Sequence, residues 1–115
     1  MAKENRYYIV KNSNLGEMAI SHRVFETIAI NSVRQVKGAK IYKGDAKSRR
    51  YLYRPVTCEM KKHGKIEINV DVSLKKGVDV KSTCQKIKEE IINNLLLAVE
   101  TVSVNVLINV ANIGD

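Results

Sequence analysis

Residues that usually announce chemistry are scarce in this 115-residue sequence, which has two cysteines, two histidines and one proline. Cys58, Cys84, His22 and His63 could in number supply four zinc ligands. No CxxC or HxxxH spacing pre-organises them, so no metal centre is expected. The cysteines lie far apart in sequence, both in apolar contexts; they form no disulfide framework and suit a reducing compartment. A Cys/His catalytic pair is disfavoured, because a buried thiol holds its proton. The glycines, at positions 16, 38, 44, 64, 77 and 114, compose neither GxGxxG nor a P-loop, so no nucleotide cradle is expected. Long apolar runs are also missing. The longest, Leu95 to Val99, is far short of the roughly 18 residues that span a bilayer, and the charged start Met1 to Arg6 leads into no apolar segment of the kind a signal peptide carries. The expectation is a cytoplasmic chain without direct membrane insertion, without cofactor and without catalysis.

What is present reads as one domain over 1–115. This length is usual for a single hydrophobic core, and 44% hydrophobic with 28% charged residues is close to the globular average, so no disorder has to be invoked. Arg6 to Lys11 and Glu17 to Ile20 are short extended candidates, one or both of which should form an edge strand. Ser21 is a suitable N-cap for a helix to about Val36, with Phe25, Ile28, Ala29, Ser32, Val33 and Val36 as its buried stripe and Gly38 at its C-terminal corner. Ala39 to Lys43 could be a strand. Beyond Pro55, Val56, Cys58 and Met60 alternate with polar residues, as do Ile66, Ile68, Val70, Val72 and Leu74. With Lys62-His63-Gly64 between them, these runs predict an antiparallel hairpin. Asp79 can cap a second helix whose stripe is Val80, Cys84, Ile87, Ile91, Leu95 and Ala98. Thr101 to Val110 alternates as a final strand, with Val102, Val104, Val106, Ile108 and Val110 on one side.

Each long strand therefore has one apolar side and each helix one apolar stripe, so both helices must cover the same sheet face. The fold class expected is α+β: a two-layer sandwich with a mixed sheet and an order close to β-α-β-β-β-α-β. Its other sheet face stays open. Glu59, Glu67 and Asp71 fall on that polar face beside Lys61 and Lys75 instead of converging in an apolar cleft, which argues against acid/base chemistry. Leu107 interrupts the polar side of the last strand, and an exposed apolar residue there can mark a docking surface or be a scattered surface hydrophobe.

The formal charge of +8 is concentrated in one place. Lys37, Lys40, Lys43, Lys47, Arg49, Arg50 and Arg54 oppose only Asp45 between 37 and 54, which puts +6 there. These cations, with Tyr51 and Tyr53 interleaved, are the candidate partner- or anion-binding residues. Cations can pair with phosphates while tyrosines stack on bases. The same run also reads as a solvated basic strand whose tyrosines pack on a neighbour. A KH-type GxxG loop and the aromatic platform of an RRM are both missing, so sequence-specific RNA reading is disfavoured.

The order of these pieces resembles the alkaline-shock protein family of small bacterial proteins. Met18-Ala19-Ile20 before the helix containing Ile28-Ala29, and the corner Val36-Lys37-Gly38-Ala39, match its first half. Gly64 to Leu74, Gly77-Val78-Asp79-Val80, the helix through Ile92 and Val102-Ser103-Val104-Asn105-Val106 match its second, so the resemblance runs over roughly 17–113. The sequence departs from the family in its basic connection from Tyr42 to Arg54 and in Asn93-Asn94-Leu95-Leu96 at the end of the second helix. The resemblance implies a cytoplasmic, non-enzymatic scaffold or adaptor linked to cell-envelope stress. It would gather at the membrane through a membrane-anchored protein partner and self-associate as a homo-oligomer. Non-specific nucleic-acid binding through 37–54 is the alternative.

Overall fold

The computed structural model describes residues 7–12, 16–44, 54–61, 65–98 and 103–114. Its elements are β1 (Tyr7–Asn12), β2 (Gly16–Ser21), α1 (His22–Arg34), β3 (Ala39–Ile41), β4 (Val56–Met60), β5 (Lys65–Lys75), α2 (Val80–Ala98) and β6 (Ser103–Gly114). The α+β class and the two helices on one face of a mixed sheet are as the residue pattern predicts.

β5 is the centre of the sheet because its alternation is the longest: Ile66, Ile68, Val70, Val72 and Leu74 are all fully buried on the helix side. β6 runs parallel along one edge of β5, from Lys65↔Ser103 to Lys75↔Gly114. A parallel neighbour needs a crossover, and α2 supplies it. β3 and β4 share the opposite edge, both antiparallel to β5: Ala39–Ile41 pairs with Leu74 to Val72, and Val56–Met60 pairs with Val70 to Ile66.

The N-terminal strands differ from the expectation. β1 and β2 pair with each other as a separate two-stranded antiparallel sheet, from Tyr7↔Ser21 to Asn12↔Gly16, and neither forms an edge of the main sheet. Each of the two finds its ladder partner in the other, residue for residue. The last strand also extends beyond the expected Val110, to Gly114. It does so through a bulge: Val72 pairs with Val110 but Ser73 with Asn112, leaving Ala111 as the extra residue. Thr101 and Val102 lie outside the described residues, as does the turn Lys62-His63-Gly64.

Ser21 caps α1 by accepting from the Arg23 N–H at 3.1 Å. Phe25, Ala29, Ser32 and Val33 form its buried face, with Val36 just beyond the helix end. Asp79 caps α2, its carboxylate accepting from the Ser82 N–H at 3.1 Å. Ile87, Ile91 and Leu95 are fully buried and Cys84 half-buried, but Val80, expected on this stripe, is 39% exposed. It is the first helical residue and lies at the margin of the core. Among the described residues no helix is long and apolar enough to cross a membrane.

Between the helices, the Ser32 hydroxyl donates to the Ile28 carbonyl at 2.7 Å and accepts from the Asn94 side-chain amide at 2.8 Å. A fully buried hydroxyl is thereby satisfied, which removes the cost of hiding it from water.

Candidate contact surfaces

The face of the sheet away from the helices is built from the polar alternates of four strands. Strand register sets them in rows: Glu59, Glu67 and Asn105; then Thr57, Asn69 and Leu107; then Asp71 and Asn109; then Lys40, Ser73 and Asn112. Side chains join neighbouring strands within three of these rows. Asn109 donates to the Asp71 carboxylate at 3.1 Å and Asn112 to the Ser73 hydroxyl at 3.1 Å. At the lower end the Lys61 ammonium lies 2.9 Å from Glu59 and 3.5 Å from Glu67. The carboxylates are thus on the polar face as the alternation requires. Leu107 stands among the amides, 40% exposed. A hollow of about 280 Å³ opens at the Lys40 end, lined by Gly38, Ala39, Lys40, Ser73, Lys75 and Gly114.

The four candidate basic residues that are described, Lys37, Lys40, Lys43 and Arg54, do not form one patch. Lys40 sits on the open face opposite Ser73. Lys37 instead lines a groove of about 380 Å³ between the end of α1 and α2, shared with Lys86, Glu89 and Glu90. Arg54 is drawn to α1, where its guanidinium pairs with the mostly buried Glu26 carboxylate at 2.5 Å. Lys43 is exposed beyond the end of β3. Lys47, Arg49, Arg50, Tyr51 and Tyr53 lie outside the described residues.

The base of the basic segment is defined by backbone bonds. The Tyr42 N–H donates to the Asp71 carbonyl at 2.9 Å, and the Asp71 N–H donates to the Pro55 carbonyl at 2.8 Å. The chain therefore leaves the β5 edge and returns to it opposite one residue. β3 and β4 are two halves of one strand position with the basic segment inserted between them. Period-two patterning cannot reveal this, because β3 is only three residues long.

At the start of α1, His22 lies beside Cys58. Burial lowers the histidine pKa, opposed by a backbone hydrogen bond with Cys58 and by the Glu26 carboxylate. The ring Nε2 is buried with no hydrogen-bond partner among the described residues. The Cys58 thiol is pushed up to about 12, first by burial and then by the Glu26 and Glu59 carboxylates. It behaves as a small core side chain. Cys84 is raised by burial alone. Among the described residues no three His, Cys, Asp or Glu side chains come together as a metal site would require.

The amide rows and the strand-edge insertion are what sequence reasoning missed. The one available signal was the recurrence of asparagine at 105, 109 and 112 on the polar side of β6. Comparison with family models, curated proteins and solved structures gives no match to this chain.

Proposed function

We propose that this protein is a non-enzymatic scaffold or adaptor that works by protein–protein contact. The observation that carries the reading is a sheet face that neither helix covers. Both helices lie on the other side, and this side is a polar surface on which Asn109 bonds to Asp71 and Asn112 to Ser73, with Leu107 exposed beside them. Hydrogen-bonded rows on a sheet form a rigid platform, which lowers the ordering cost of binding. The resemblance to alkaline-shock proteins adds the rest: a cytoplasmic setting, a link to cell-envelope stress or homeostasis, a membrane-anchored partner and self-association.

Non-specific nucleic-acid binding is the second reading, favoured by the +6 charge between 37 and 54. Lys37, Lys40 and Lys43 are exposed, without an ion-pair partner among the described residues. Against it stands their dispersal over different sides of the molecule and the engagement of Arg54 by Glu26.

Affinity purification of the full chain from native cells, with and without nuclease, separates the two. The scaffold reading expects protein partners recovered equally in both. Recovery that vanishes with nuclease, together with RNA or DNA binding that weakens steeply between low and moderate salt, would favour the second.

A further inference from the structure

β6 is an edge strand without the protections that edge strands carry. Among the described residues nothing pairs with its outer side, so alternate N–H and C=O groups along it lack a strand partner. Exposed edges are normally blunted by lysine, proline, a bulge or an irregular path. The β3–β4 edge is: the basic segment interrupts it, and Lys40 and Glu59 lie on it. β6 is twelve residues long and contains neither a charged residue nor a proline. Its one irregularity, at Ala111, lies near the end and leaves Ser103 to Val110 regular.

We infer that β6 pairs antiparallel with β6 of a second copy of this chain, with Leu107 on the two-fold axis, joining two sheets into one. The inference gives a surface to the self-association within the scaffold reading and in that sense rests on it. Two observations choose this occupant. First, two chains of +8 repel each other, and a strand free of charge is where they can meet without opposing like charges. Second, the strand is self-complementary about Leu107. Antiparallel pairing sets side chains of the same face opposite one another. Centred on Leu107, it places Val104 against Val110 and Val106 against Ile108 on the helix side, and Asn105 against Asn109 on the open side. Centring on Val106 would set Asn105 against Leu107.

The burial pattern agrees. Val106 is fully covered within one chain, whereas Val104, Ile108 and Val110 pack on the core but remain half-exposed, and Leu107 is 40% exposed. A second β6 would cover these side chains. Because the other sheet edge is interrupted, the assembly closes as a two-fold dimer and does not extend into a filament through strand pairing.

Sedimentation equilibrium of the full chain tests this directly. The expected mass is twice 13.0 kDa at high concentration, falling toward 13.0 kDa on dilution. Leu107→Lys should give the single-chain mass throughout with an unchanged far-UV spectrum, since it sets two ammonium groups face to face. Leu107→Cys supplies a test that does not need the lysine variant to fold. Opposed residues in an antiparallel pair are about 4.5–5.5 Å apart at Cα, within disulfide reach. Leu107→Cys should therefore cross-link to itself on oxidation, whereas Asn105→Cys should cross-link to Asn109→Cys and not to itself. A wild-type chain of single mass at every concentration overturns the inference, as does a dimeric Leu107→Lys or an Asn105→Cys that cross-links to itself. A dimer that recovers no other protein from cells upholds it while counting against the adaptor reading. A monomer that recovers one does the reverse.

Discussion

Tyr42 and Pro55 together perform the work of one strand residue. The N–H of the first donates to the Asp71 carbonyl at 2.9 Å and the carbonyl of the second accepts from the Asp71 N–H at 2.8 Å. A single residue opposite Asp71 in an antiparallel ladder would make both bonds.

It follows that the basic segment can be removed without loss of the sheet. Deleting 43–55 joins Tyr42 to Val56 in the register that β3 and β4 already hold on β5. The deletion variant should keep its circular dichroism spectrum and cooperative urea unfolding while losing Arg54, the partner of Glu26. Any nucleic-acid binding should disappear with it. Loss of cooperative unfolding would show that the segment is structural.

Gly38 and Val78 meet where the corner after α1 touches the turn before α2. Gly38 has φ of 87°, a conformation in which a side chain is strained, and a Cβ there would lie 2.8 Å from the Val78 side chain. Gly38→Ala should cost about 1–3 kcal/mol in urea unfolding. Pairing it with Val78→Ala should lift the clash, leaving the backbone cost and the lost packing of Val78.

The Ser32–Asn94 bond predicts a coupling between the helices. Asn94→Ala should destabilise by about 0.5–1.5 kcal/mol. In a double-mutant cycle with Ser32→Ala the two losses should fall short of additivity, because either change removes the same bond. Strict additivity would mean that the pair contributes nothing.

His22 and Cys58 predict opposite limbs of the stability–pH profile. His22 is held below its ordinary 6.5 mainly by burial, so the unfolded chain protonates first. Its contribution is present above pH 6.5 and lost as the pH falls below it. Cys58 is held near 12, so the unfolded thiol ionises first. Its contribution is present below pH 9.0 and lost as the pH rises toward 12. Urea midpoints should fall on both sides, with His22→Gln flattening the acid limb and Cys58→Ala the alkaline one.

Much of this architecture is legible in residue patterns, for identifiable reasons. The alternation in β5 and β6 and the stripe Phe25, Ala29, Val33 record burial directly, because each position must match one side of one layer. Ser21 and Asp79 are recognisable as caps because their side chains act within their own turn. Pairing is different. Nothing local in Tyr7 to Ser21 says that these strands choose each other over β5, and nothing local in Ala39 to Ile41 says that the strand resumes at Val56. Those outcomes depend on the ladder partner each strand meets elsewhere in the chain. The candidate cations were legible as a charge cluster, yet the dispersal of Lys40, Lys37 and Arg54 between the open face, the helix groove and Glu26 depends on the turn at Gly38 and the return at Pro55.

The central claim is that the open sheet face contacts a protein. Thr57→Arg with Asn69→Arg places two cations in the middle row of that face, and because Asn69 lies opposite Leu107 the sedimentation mass of the double variant is compared with wild type to show that the β6 seam is intact. Affinity purification from nuclease-treated native lysate should recover a protein partner with the wild-type chain and with the 43–55 deletion, and lose it with the double variant. Equal recovery by the double variant, or recovery lost on nuclease treatment or deletion, would contradict the account.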